Sequence, residues 1–139
     1  MNVRDFINYK IFGLIGSLLI IISEFLPWFS SSSLFEIYYI TISGEFEDAF
    51  LYLFPIFGGI ICLLANILII LKIQFKIKSV ILNIVGLGFL LLFFFEFIPI
   101  HSQYLLDNIG IYFCIIGFLL VVYDLILILM IDNQNVEGN

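Results

Sequence analysis

ANILIILKIQFKIKSVILNIV, residues 65 to 85, joins two apolar runs through Lys72, Lys76 and Lys78, and its reading decides the fold. The flanking runs are too long and too apolar to face water, and lysines cannot sit in hydrocarbon without cost. The stretch therefore predicts two membrane-spanning helices that turn back at a basic connection. Working outward, the remaining basic residues, Arg4 and Lys10, precede another apolar run. All five positive charges then fall on one side of a four-helix weave. The positive-inside rule places that side, and with it both termini, in the cytoplasm.

Composition agrees. Of 139 residues 63% are hydrophobic and 12% charged, and the mean hydropathy is +1.23. A soluble domain of this size has no interior large enough for so much apolar surface. A bilayer core of about 30 Å takes about 20 apolar residues per helix. The expected fold is all-α, a four-transmembrane-helix bundle forming a single membrane domain over 1–139. The expected spans are 10–29, 51–71, 79–98 and 106–131, with an outer loop at 30–50 and a cytoplasmic tail at 132–139. The first run carries Glu24 and lacks a small-residue cleavage site, which favours a retained helix over a signal peptide; cleavage in the serine run would leave three helices.

The side opposite the lysines is acidic, with Glu36, Glu45, Glu47, Asp48 and Asp107 and the single His101. Such a face attracts cations, although the exclusion of Lys and Arg for topology explains it as well. The basic loop is too short for nucleic-acid binding. In the outer loop LFEIYYITIS, residues 34 to 43, is rich in β-branched and aromatic residues and reads as a strand (Leu34, Phe35, Ile37, Tyr38, Tyr39, Ile40), with WFS before the serines as a hairpin partner. Asp48 suits the N-cap of the second helix. Trp28 is expected as a headgroup-level anchor with its N–H in water, and Pro27 as a helix terminator.

Each helix carries a stripe of small residues: Gly13 and Ser17 with Gly16 beside them, Gly59 and Cys62 flanked by Gly58, Gly86, and Gly110, Cys114 and Gly117. In lipid, small residues let backbones approach and polar groups bond across the seam, so these stripes predict the packing faces. The two cysteines have no CxxC spacing and read as packing residues. Glu24, Asn66, Asn83, Glu96 and Asp124 are the carboxylates and carboxamides embedded between the span ends. Asn66, Asn83 and Asp124 form an inner layer; Glu24 and Glu96 form an outer one.

An ionisable group at that depth is a functional candidate. For Glu24 and Glu96 three readings are open: a shared proton, a cation site completed by His101 and Asp107, or carboxylates bonded to the outer loop. Asp124 has Asn66, Asn83, Lys10 or Lys72 as candidate partners, in a structural knot or a proton relay. No HExxH, GxSxG, P-loop or dinucleotide motif occurs. No catalytic residue, cofactor or committed metal site follows from the sequence.

The plan resembles tetraspan proteins of the claudin and peripheral-myelin type: four helices, cytoplasmic ends, a larger strand-bearing first outer loop. Of the claudin W…GLW…C…C signature only Trp28 is present, and the loop cysteines are missing. The LPW ending of the first helix is similar to small four-helix proteins of bacteria and archaea, and heavy use of Ile, Phe, Asn and Lys fits an AT-rich prokaryotic genome. The expected role is a non-enzymatic plasma-membrane protein that self-associates or serves as a scaffold or accessory subunit among membrane lipids and other membrane proteins. The alternative is a small proton- or cation-coupled transporter or channel using Glu24, Glu96 and Asp124. An enzyme acting on lipid headgroups lacks a nucleophile.

Overall fold

Pro27 dictates how the first helix ends. It has no N–H for the carbonyl four residues earlier, which is Ser23, and its ring crowds that oxygen. In the computed structural model α1 (Val3–Ser23) stops there. The model describes the backbone of residues 3–44, 49–71, 73–105 and 107–136, and side-chain environments within 11–44, 49–71, 74–101 and 107–130. The freed Ser23 carbonyl accepts the Leu26 N–H at 3.2 Å and the Trp28 indole N–H at 2.7 Å. The helix thus ends six residues before the run 10–29 does, and Trp28 is fully buried, its indole N–H bonded inside the protein and not in water.

A two-stranded hairpin follows, β1 (Pro27–Phe29) against β2 (Ser32–Ser33), closed by Ser30 at φ 54°. LFEIYYIT is not its partner strand; it is helix α2 (Leu34–Thr41). The reason is local. Ser33 accepts the Glu36 N–H through its hydroxyl (3.2 Å), and the Glu36 carboxylate accepts the Ser33 N–H (2.9 Å). This reciprocal capping box nucleates a helix that β-propensity alone argues against. Asp48, the expected N-cap of the next helix, lies outside the described residues.

A 3-10 turn (Phe50–Leu53) leads into α3 (Phe54–Leu71). A second (Ile73–Phe75) leads into α4 (Lys76–Leu105), and α5 spans Ile109–Val136. Pro99 lies inside α4 and does not end it at Ile98: it removes one hydrogen bond from a 30-residue helix, not the helix. The stretch IPIHSQY, residues 98 to 104, which the expected spans leave as a short loop bounded by Pro99, is accordingly helical, and α5 runs through most of the expected polar tail. Three helical segments, Phe50–Leu71, Lys76–His101 and Ile109–Met130, are long and apolar enough to cross a membrane; the apolar part of α1, Ile11–Ser23, is shorter. The chain is a helical membrane protein by this measure.

The helices form a ring in which α1 packs on α5 and α3, α3 on α4, and α4 more sparsely on α5. Glycines set the distances. A Cβ built at Gly16 would lie 2.7 Å from the Gly117 carbonyl oxygen, and one at Gly117 2.6 Å from that of Gly16. Gly58 and Gly86 stand in the same reciprocal relation at 2.8 Å, with Cys62 Sγ 2.5 Å from the Gly86 position. Gly59 receives Ile20 and Ile21 of α1. Gly16 and Gly58, which the sequence places beside the stripes, are the crossing points themselves.

Gly16→Ala and Gly117→Ala are therefore expected to destabilise the fold by about 1–3 kcal/mol through overpacking. Gly88→Ala, where a new methyl would meet nothing within 4 Å, is expected to be neutral or stabilising. Thermal unfolding in detergent reads the difference; equal losses in all three would remove the crossings from the argument.

Candidate functional site: two buried polar layers

Toward the lysine-bearing end, three helices turn polar groups onto one point of α1. Asn66 of α3, Asn83 of α4 and Asp124 of α5 are fully buried. Gly13 of α1 is what makes room: a Cβ there would meet Asp124 Oδ2 at 2.5 Å and Asn66 Oδ1 at 2.7 Å. Asn83 Nδ2 donates to Asn66 Oδ1 at 3.4 Å, while Asn66 Nδ2 and Asn83 Oδ1 find no hydrogen-bond partner among the described residues. Around this knot, Ser17 donates to the Gly13 carbonyl (2.9 Å) and Ser79 to the Ala65 carbonyl (2.8 Å), the latter tying α4 to α3. Cys62 Sγ lies 3.9 Å from the Asn83 carbonyl. Lys10 and Lys72, the other candidate partners of Asp124, have side chains outside the described residues.

The second layer lies about 15 Å away, ten residues along α5 from Asp124 to Cys114. Glu24 is fully buried in the turn after α1, not within the helix. Its carboxylate faces the backbone N–H of Ile56, near the start of α3. Neither oxygen closes a full hydrogen bond among the described residues. Ser23 and Cys114 adjoin it.

Above Glu24 sits an aromatic plug. Phe93, Phe97 and His101 recur every four residues on α4 and stack, with ring centroids 4.6 Å apart for each successive pair. Trp28 meets Phe93 and Phe97 edge-on at 5.5 and 6.0 Å, and Phe29 meets His101 at 5.1 Å. Gly110 provides the floor for the indole; a Cβ there would collide with Trp28 Cδ1 and Nε1. The four-residue spacing of Phe93, Phe97 and His101 was the sequence signal for this plug.

The weak metal set does not assemble. Glu24 is enclosed, Glu96 and Asp107 are exposed, and His101 is committed to the stack, with Nδ1 3.2 Å from the Phe97 carbonyl. Among the described residues no three His, Cys, Asp or Glu side chains group as metal ligands. Glu96 is exposed on α4 and does not share the enclosure of Glu24. Glu24 and Asp124 are both enclosed within the bundle. No protein-family model, curated protein or solved structure matches the chain.

Asn66→Leu and Asn83→Leu are each expected to lower stability by about 1–3 kcal/mol, because each strands a buried partner group. The double variant should lose less than the sum, by about 0.6 kcal/mol, a usual coupling between polar side chains in membrane bundles. A double-mutant cycle by thermal unfolding checks this; strict additivity would deny the Asn66–Asn83 contact.

Proposed function

We propose that the chain is a non-enzymatic integral membrane protein that crosses the plasma membrane four times, with both termini cytoplasmic, and works by self-association or as a scaffold or accessory subunit. α1 supplies the fourth crossing: its 21 residues give about 31 Å of helix. The basic residues Arg4, Lys10, Lys72, Lys76 and Lys78 support the orientation.

One observation carries the association reading. On the outward face of α4, Val85, Gly88, Phe89, Leu91, Leu92 and Phe95 line a shallow, almost wholly apolar groove. Gly88 is its floor, and it serves none of the packing inside the bundle. A small residue on a lipid-facing helix allows a second helix to come close, where van der Waals contact drives association. The strand edge expected from LFEIYYITIS drops out of this reading, because that segment is helical.

Gly88→Leu is expected to abolish cross-linked and native-mass-spectrometry oligomers in mild detergent while leaving the unfolding temperature within a few degrees of wild type. Oligomers that survive in Gly88→Leu would remove this groove from the reading; a strictly monomeric wild type without partners would defeat it altogether. For orientation, a cysteine at Lys76 and one at Gly44 should label from opposite sides of the membrane.

A second reading, proton or cation movement, draws on the enclosure of Glu24 and Asp124 within one bundle. Against it stand the roughly 15 Å between the layers and the exposure of Glu96. A liposome flux assay with Glu24→Gln, Glu96→Gln and Asp124→Asn decides: pH-dependent flux lost in the first and third variants is the expected signature, and a wild type without flux ends the idea.

A further inference from the structure

Helix α2 is apolar on both sides, which water does not tolerate. Leu34 is fully buried against the bundle, yet Tyr39 and Ile40 are 75% and 70% exposed and Phe35 43%. Large apolar side chains exposed side by side mark a surface that lipid or another chain covers, and Tyr39 and Ile40 of α2 stand largely uncovered.

Its surroundings point to lipid. The outward stripe of α1 (Ile11, Ile15, Leu18, Ile22) ends at exposed Phe25, whose ring lies 5.7 Å from that of Phe35. The apolar surface of the bundle therefore continues without a break onto α2. The helix also packs on the 3-10 turn Phe50–Leu53, where the apolar segment of α3 begins. That is the level at which hydrocarbon gives way to headgroups, and tyrosine is favoured there.

Beside the aromatic face runs an open groove of about 470 Å³, lined by Ser31, Ser32, Phe35, Glu36, Tyr39 and Ile40. Half of its lining is apolar or aromatic and half is polar. Glu36 spends one oxygen on the capping box and leaves the other available. Between Lys10 and Lys72 the sequence has no Lys, Arg or His, so nothing from that stretch neutralises the carboxylate. A carboxylate flanked by two aromatic rings suits an ammonium group through charge and cation–π attraction; the hydroxyls of Ser31 and Ser32 suit the adjoining phosphate.

We propose that α2 is an interfacial helix that binds phospholipid, its aromatic face set in the leaflet and its groove holding the amine-bearing headgroup. This rests on membrane insertion and not on self-association at Gly88.

The test uses the full chain in nanodiscs of mixed phosphatidylethanolamine and phosphatidylglycerol. A nitroxide on Tyr39→Cys should be more accessible to dissolved oxygen than to an aqueous nickel chelate, and one on Gly44→Cys the reverse. Native mass spectrometry should find the retained lipid enriched in phosphatidylethanolamine by roughly two- to fivefold. Glu36→Gln keeps the capping box, since glutamine serves at that position, and should lose the enrichment while the Tyr39 label keeps its depth and Trp28 its buried emission. Aqueous exposure at Tyr39, retention without preference, or unchanged preference in Glu36→Gln would overturn the proposal. So would strong spin–spin coupling between labels on two copies, which assigns the face to a second molecule.

Discussion

Everything in this bundle depends on backbone touching backbone at two glycine pairs. Where Gly16 of α1 crosses Gly117 of α5, and Gly58 of α3 crosses Gly86 of α4, each α-carbon lies against the other's carbonyl oxygen. Lipid supplies no hydrophobic force to push helices together, so affinity must come from contact at short range. Side chains at those four positions would hold the helices apart and forfeit it. Once the crossings are closed, the seams are tight enough to enclose Ser17, Asn66, Asn83 and Asp124 completely. The buried polar knot is a result of the glycine geometry before it is anything else.

At the other end, the sequence LPW acts as a single device. Proline releases the Ser23 carbonyl, and the tryptophan two residues past the turn returns to satisfy it with its indole N–H. A polar requirement of the helix end thus draws the largest side chain of the chain into the interior. There it meets Phe93 and Phe97 and rests on Gly110. Glu24 is enclosed because it lies between this plug and the amino end of α3. There it faces the Ile56 N–H at the start of α3.

Much of this was legible in the residues. The apolar runs and the small-residue stripes follow from periodicity, and Gly13, Gly59, Cys62, Gly86, Gly110, Cys114 and Gly117 all lie inside the bundle. Two features were hidden for identifiable reasons. LFEIYYIT has the composition of a strand, but Ser33 and Glu36 form a capping box whose geometry outweighs propensity over eight residues. Trp28 has the sequence context of an interface anchor; only the three-dimensional return to Ser23 turns it inward. Pro99 misled in the opposite sense, since a helix with neighbours along its length tolerates one missing amide. The separation of Glu96 from Glu24 was beyond reach, because their shared depth says nothing about the direction in which each points.

The order in which the helices meet has a consequence for how the protein is made. α3 and α4 are neighbours in sequence and close as a hairpin soon after synthesis. α1 finds its most extensive contact in α5, which follows α3 and α4 in the chain. Until then the first helix enters the membrane with the notch at Gly13 and the hydroxyl of Ser17 uncovered on the side that α5 will occupy. Biogenesis therefore includes an interval in which the earliest segment waits for the latest.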